Sequence, residues 1–141
     1  MIVVRESLGR PPEGSHTVQI MTERHTLAKR RWRGVAEDGT EFGFDLERPL
    51  HAGDMAHIDG AKVYVIVQTP EPVLEIPLLS VDQAARTAWQ IGNLHFPLAF
   101  TPGYILVEDD PAIRQMVERE RIPFHSRTAV LQPFHASTHR H

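Results

Sequence analysis

Ser80-Val81-Asp82-Gln83-Ala84-Ala85-Arg86-Thr87-Ala88-Trp89-Gln90-Ile91-Gly92-Asn93-Leu94-His95-Phe96-Pro97 reads as one helix with a marked start and a marked stop. Ser80 followed three residues later by Gln83 is a capping box, in which each side chain satisfies a backbone N–H at the helix start. Val81, Ala84, Ala88, Ile91 and His95 recur at 3-4-3-4 spacing, which predicts one shared helical face. Gly92-Asn93 weakens the helix near its end, and Pro97 cannot continue it.

Working outward, Val73-Leu74-Glu75-Ile76 predicts a short strand before this helix, and Tyr104-Ile105-Leu106-Val107 a strand after it. Asp110 as N-cap with Pro111 at the first helical position opens a second helix, whose core stripe is Ile113, Met116 and Val117. Glu108 and Asp109 suit the positive end of that helix. Pro123 closes it, and residues 124–131 alternate as a last strand. The order β-α-β-β-α-β predicts a ferredoxin-like domain over 73–134, two helices on a four-stranded antiparallel sheet. Thr69-Pro70-Glu71-Pro72 is the candidate linker, because its prolines resist both helix and ladder. Before it, Asp38-Gly39 marks a hairpin, Phe42, Phe44 and Leu46 alternate, and Asp59-Gly60 precedes Lys62-Val63-Tyr64-Val65-Ile66-Val67. Val18 and Ile20 alternate in an earlier strand. Residues 1–70 are therefore expected to form a small all-β domain, a barrel or two packed sheets, and the class is α+β. Residues 135–141 form a histidine-containing tail.

The 141 residues carry 15 basic and 18 acidic side chains, a net charge of -3, which argues against a general nucleic-acid binder. With no cysteine, a disulfide framework and a thiolate metal site are both excluded. Met1-Ile2-Val3-Val4-Arg5-Glu6 lacks the features of a signal peptide, and no apolar run approaches the ~20 residues of a membrane span. A soluble cytoplasmic protein is expected. Nine histidines stand out. Without thiolates, imidazole and carboxylate are the strong metal ligands left, a set that suits nickel, zinc, copper or cobalt.

His95 is the sharpest candidate ligand. A lone histidine on such a face is more often a satisfied core or interface residue. The small side chains of Val81-Ala84-Ala88, however, would admit a second subunit, and a two-fold dimer there brings two copies of His95 together. Such an open site loads and releases metal more readily than a closed four-ligand cage. His135, His139 and His141 lie within seven residues at the C-terminal end and read either as a solvated tail or as an arm completing His95's coordination. His16, His25, His51, His57 and His125 are dispersed and read as ordinary. Arg24, Lys29, Arg30, Arg31 and Arg33 form the densest basic stretch, read as a solvated strand edge or a docking surface. An alternative reading follows from it, a partner- or RNA-binding β-barrel module of an assembly factor. No zincin, nucleophile-elbow, P-loop or dinucleotide-binding motif appears, so no catalytic constellation is expected.

Over residues 24–121 the sequence resembles the UreE urease accessory metallochaperones. The resemblance rests on Lys29-Arg30-Arg31-Trp32-Arg33, Glu37-Asp38-Gly39-Thr40-Glu41, Phe44-Asp45-Leu46, Leu50-His51-Ala52-Gly53-Asp54 and Pro72-Val73-Leu74-Glu75-Ile76. Its most specific element is Gly92-Asn93-Leu94-His95, which looks like the family's metal-binding G-N-x-H segment. The resemblance implies a homodimer formed by the ferredoxin-like domain, not an enzyme. Ni(II) is implied as cargo between two copies of His95, with His135, His139 and His141 assisting. Zinc and copper compete for such a site. The implied partners are other urease accessory proteins, including a GTPase, and the urease apoprotein, with no nucleic acid and no membrane. Leu94 stands where members often have arginine, and Tyr104-Ile105-Leu106-Val107 lacks the extra histidine pair of some members.

Overall fold

Strands form in the first half wherever β-branched and aromatic residues alternate with polar ones, as in a computed structural model that describes residues 1–134. The chain divides into two compact units, Met1–Thr69 and the residues from Pro70 onward. The first holds β1 (Ile2–Val4), β2 (His16–Thr22), α1 (Arg24–Leu27), β3 (Arg31–Val35), β4 (Glu41–Asp45), β5 (Met55–Asp59) and β6 (Lys62–Gln68). They make two three-stranded sheets, ordered β1-β4-β3 and β2-β6-β5, in which β1 runs parallel to β4 and β2 parallel to β6. Both sheets feed one core that includes Val4, Val18, Ile20, Trp32, Phe42, Phe44, Leu46, Tyr64 and Ile66. Trp32 stacks on Phe44 at 3.8 Å and 12°. Gly34 is needed beside that stack, because a Cβ there would come within 2.9 Å of the Trp32 ring.

The basic stretch is not one strand edge. Its first part folds as the single turn α1, held to the core by buried Leu27, and β3 begins only at Arg31. One buried leucine among polar neighbours carries no strand-like alternation, so the turn wins locally.

The Asp38-Gly39 turn is fixed by its aspartate. Asp38 accepts the Thr40 N–H at 3.0 Å and the Tyr64 hydroxyl at 2.8 Å, with Lys62 Nζ 3.6 Å away. The Thr40 N–H above all, then the Thr40 and Tyr64 hydroxyls, hold the Asp38 carboxyl down at about 2 from its ordinary 3.8. A depressed carboxyl contributes stability above its unfolded value and loses it as pH falls through its folded value. The first unit should therefore weaken progressively from about pH 4 to about pH 2. Asp38→Ala should flatten that acid slope in urea midpoints followed by Trp32 fluorescence in a Trp89→Phe background; an unchanged slope would show that the turn carboxylate contributes nothing.

The second unit holds β7 (Glu71–Pro77), α2 (Val81–Asn93), β8 (Leu98–Thr101), β9 (Tyr104–Glu108), α3 (Pro111–Arg119) and β10 (His125–Ala129). Its sheet is antiparallel with order β10-β7-β9-β8. The expected linker is shorter than the prolines suggest, for Glu71 and Pro72 already pair with Ala129 and Thr128 in the ladder. Pro72 is tolerated near the start of its strand, where it lacks a donor but its carbonyl accepts the Asp109 N–H at 3.2 Å.

Both helices lie on one face of this sheet. Ile91 of α2 and Ile113, Met116 and Val117 of α3 share a core with Leu74, Ile76, Leu98, Ile105 and Val107. Each such side chain contributes about 1.5–3 kcal/mol by leaving water. Ser80 Oγ accepts the Gln83 N–H at 3.1 Å, while Gln83 Oε1 reaches back one residue further, to the Leu79 N–H at 2.9 Å. Asp110 caps α3 through the Ala112 N–H at 2.8 Å. Asp109 serves a different purpose from the expected dipole contact, holding Arg114 in a two-pronged pair at 2.7 and 3.0 Å.

Two expectations for α2 need correction. Val81 is 88% exposed, so it is not on the core face, which is Ala84, Thr87, Ala88 and Ile91. The helix ends at Asn93, so His95 lies beyond it. After β10, residues 130–134 leave the ladder: Leu131 is buried against the sheet's other face with Val73, Ala99 and Leu106. The tail residues His135, His139 and His141 lie outside the described residues. Among the described residues no helix is long and apolar enough to cross a membrane.

Candidate metal centre

His95 sits in the turn that closes α2. Leu94 is the C-cap, the His95 N–H bonds the Gly92 carbonyl at 3.0 Å, and the Phe96 N–H bonds the Ile91 carbonyl at 3.3 Å. This pair of bonds is a Schellman closure, which requires a left-handed residue at His95's position and favours glycine there. His95 adopts it with φ of 65°. The next residue, Phe96, packs back on the core that holds Ile91 and Leu98. The backbone carrying the imidazole is thus pinned on both sides, while the side chain is exposed. Arg121 closes α3 with φ of 56°, so the turn alone is not a mark of function.

What distinguishes His95 is its chemistry at that place. The carbonyl end of a helix carries partial negative charge and favours cations. The last turn of α2 holds no basic residue to neutralise it. Among the described residues the imidazole has no hydrogen-bond or ion-pair partner, which leaves both ring nitrogens available to a metal. No group of three or more histidine, aspartate or glutamate side chains able to hold an ion occurs among the described residues. Among the described residues, one protomer therefore offers a single imidazole at this turn.

Three of the other described histidines sit elsewhere in the fold. His51 Nδ1 lies 3.8 Å from Asp54, His57 packs edge-on against Phe42 at 6.0 Å, and His125 sits opposite Glu75 on β10. In the basic stretch, Arg31 is drawn to Asp45 at 3.1 Å beside Arg5 at 3.0 Å, while Lys29, Arg30 and Arg33 are exposed.

The small-residue stripe of α2 also lies differently from the expected one. Ala84 and Ala88 are half-buried on the protein's own sheet. The face left outward is Val81, Ala85, Trp89 and Gly92, with Trp89 67% exposed and open space where a Gly92 Cβ would be. Ala85 and Trp89 lie one step round the helix from Ala84 and Ala88. Phe96, Phe100 and Phe134 were not singled out by the sequence; Phe96 and Phe134 adjoin prolines and Phe100 lies two residues before one, a pattern common to many turns.

Residues 71–141 match the family model described as UreE urease accessory protein, C-terminal domain. Over 129 residues the chain is 32% identical to the urease accessory protein UreE of Geobacillus kaustophilus (strain HTA426), covering 89% of this chain and 87% of that protein. It is 28% identical to that of Bacillus cereus (strain ATCC 10987 / NRS 248), over 89% and 85% of the two chains. Against that of Staphylococcus aureus (strain MRSA252) it is 29% identical, over 84% and 80%. All three relatives are named as urease accessory proteins. The chain belongs to the UreE urease accessory protein family.

Proposed function

We propose that this chain is a nickel metallochaperone for urease maturation. It acts in the cytoplasm as a homodimer, holds Ni(II) between two copies of His95, and hands it to other urease accessory proteins, among them a GTPase, for insertion into the urease apoprotein. The second unit, read as ferredoxin-like over 73–134, is the dimerising and metal-binding domain, and the first unit is a β domain over 1–70. His135, His139 and His141 add coordination from the tail. Zinc or copper competes for the same imidazoles, since ligand type alone does not select nickel.

The observation that carries this reading is His95 itself, an exposed imidazole on a pinned backbone at the negative end of a helix. One imidazole is a weak site, and a two-fold axis near it doubles the ligand set. A site completed only by the dimer keeps open positions, as delivery requires. Nickel titration calorimetry on chelator-stripped protein tests it. About one tight nickel per two chains is expected, abolished by His95→Ala, and weakened when the medium goes from about pH 8 to about pH 5.5 because imidazole coordinates only when neutral. Undiminished binding by His95→Ala would overturn the assignment. The exposed Lys29, Arg30 and Arg33 favour a second reading, docking of structured RNA or an acidic partner, which a gel shift at physiological salt separates from the first.

A further inference from the structure

Two identical dipeptides, Asp38-Gly39 and Asp59-Gly60, sit in the turns that join β3 to β4 and β5 to β6. Such a pair carries a reaction of its own. The glycine's backbone nitrogen attacks the aspartate's Cγ, the carboxyl's hydroxyl leaves with the amide proton as water, and a five-membered succinimide closes. Water then adds back at one of the two ring carbonyls. Opening one C–N bond restores aspartate; opening the other leaves isoaspartate, whose main chain runs through the side-chain methylene. One water is lost and one regained, and no oxidant, reductant or other co-reactant enters. The reaction needs a glycine nitrogen that no hydrogen bond holds, and a carboxyl that is free to turn and to take a proton.

The fold treats the two pairs oppositely. In the first, the Gly39 N–H is engaged by the Ala36 carbonyl at 2.9 Å, and the Asp38 carboxyl is held by the Thr40 N–H and the Tyr64 hydroxyl. Those bonds, the Thr40 N–H above all, keep the carboxyl at about 2, so its protonated form is about sixtyfold rarer than at the ordinary 3.8. In the second, Asp59 and Lys62 face each other across a two-residue tip, and Asp59, Gly60 and Ala61 are all exposed. Among the described residues neither the Asp59 carboxyl nor the Gly60 N–H has a hydrogen-bond or ion-pair partner. Lys62 is drawn to Asp38 at 3.6 Å instead. No atom stands within 4 Å of where a Gly60 Cβ would be, so the ring has room to close. Hairpin tips also open locally at little cost, which lets the nitrogen reach the carboxyl.

We propose that Asp59-Gly60 is a site of spontaneous isoaspartate formation, from which the turn at Asp38-Gly39 protects the same dipeptide. The product displays a carboxyl displaced by one carbon at an exposed tip, the group that an S-adenosylmethionine-dependent isoaspartyl methyltransferase takes as substrate. The added main-chain atom falls at the Asp59–Lys62 pair, so the register of β5 on β6 is what it disturbs. The site belongs to the first unit and is independent of the nickel reading.

The test is peptide mapping of the full chain, held warm at neutral pH in buffer and, separately, in guanidinium chloride until the denatured sample shows isoaspartate. An aspartyl peptide and its isoaspartyl form have equal mass but separate in chromatography. Isoaspartyl methyltransferase with a labelled methyl donor then counts the converted sites. In guanidinium neither turn exists, so both dipeptides should convert. In buffer the peptide containing Asp59 should divide in two while that containing Asp38 stays single. Asp59→Glu should remove the buffer signal, because the longer side chain has to close a six-membered imide. Conversion of both sites at like rates in buffer overturns the proposal, since sequence alone then decides. So does conversion of Asp38 first, a native Asp59 peptide still single when the denatured one has divided, or labelling that persists in Asp59→Glu.

Discussion

Replacing His95 by glycine should abolish tight nickel binding and, in the same molecule, make the second unit more stable. The imidazole is lost, and the proposed shared site with it. The backbone, however, is relieved. His95 stands at φ of 65°, where a Cβ is disfavoured and glycine is not. The left-handed conformation costs an ordinary L residue about 1–2 kcal/mol, partly offset by the extra freedom glycine gives the unfolded chain, about 0.4–1 kcal/mol. A net gain of about 0.5–1 kcal/mol should raise the metal-free melting temperature of a unit this size by a few degrees. His95→Ala loses the metal equally but keeps the strained turn, so glycine should be the more stable of the two. The melts must be run without metal, because bound cargo stabilises the native state by mass action. Arg121→Gly is the control, as it relieves the same kind of turn at α3 and should leave nickel binding intact. A His95→Gly protein less stable than His95→Ala would show that the turn is not strained.

The legible parts of this fold were those written in local chemistry. Ser80 and Asp110 cap their helices because a short oxygen-bearing side chain can reach a free N–H only there. Phe42, Phe44 and Leu46 are buried together because a strand turns alternate residues to one side. What escaped was decided at longer range. Val81 has the right spacing for the core face, but α2 meets the sheet through Ala84, Thr87, Ala88 and Ile91, and no periodicity says where a sheet will stop. His95 has helical spacing too, yet the helix closes two residues earlier because Phe96 is pulled back onto the core beside Ile91. Residues 124–131 alternate as a strand, but the ladder ends at Ala129 because Leu131 is worth more under the sheet, against Val73 and Leu106, than at its edge. Of the candidate metal site, His95 stands out in the sequence, and the structure adds the left-handed turn that carries it. The second copy and the tail that the proposed function calls on are not encoded in spacing along one chain.

Trp89→Asp should separate the protomers and remove the tight nickel event while leaving each protomer folded. The indole is 67% exposed in one chain, so its removal takes nothing from the core around Ile91. A tryptophan held in water on a helix face with Val81, Ala85 and bare Gly92 is a poor surface for a monomer and a good one for an interface, since aromatic anchors carry much of the energy in such contacts. Losing one anchor and burying a carboxylate opposite its own two-fold copy should cost about 2–4 kcal/mol or more, a weakening of the dimer by roughly 30- to 1000-fold. Sedimentation equilibrium reads that directly. The nickel consequence follows from ligand count: one protomer has a single His95, so tight binding should disappear at protein concentrations where the variant is monomeric and return in part as concentration rises. That concentration dependence is the decisive observation, because a site built wholly within one chain would ignore it. If Trp89→Asp remains dimeric and keeps its nickel, the two-fold face lies elsewhere on the second unit. If it becomes monomeric and still binds tightly, His95 is completed by the tail of its own chain.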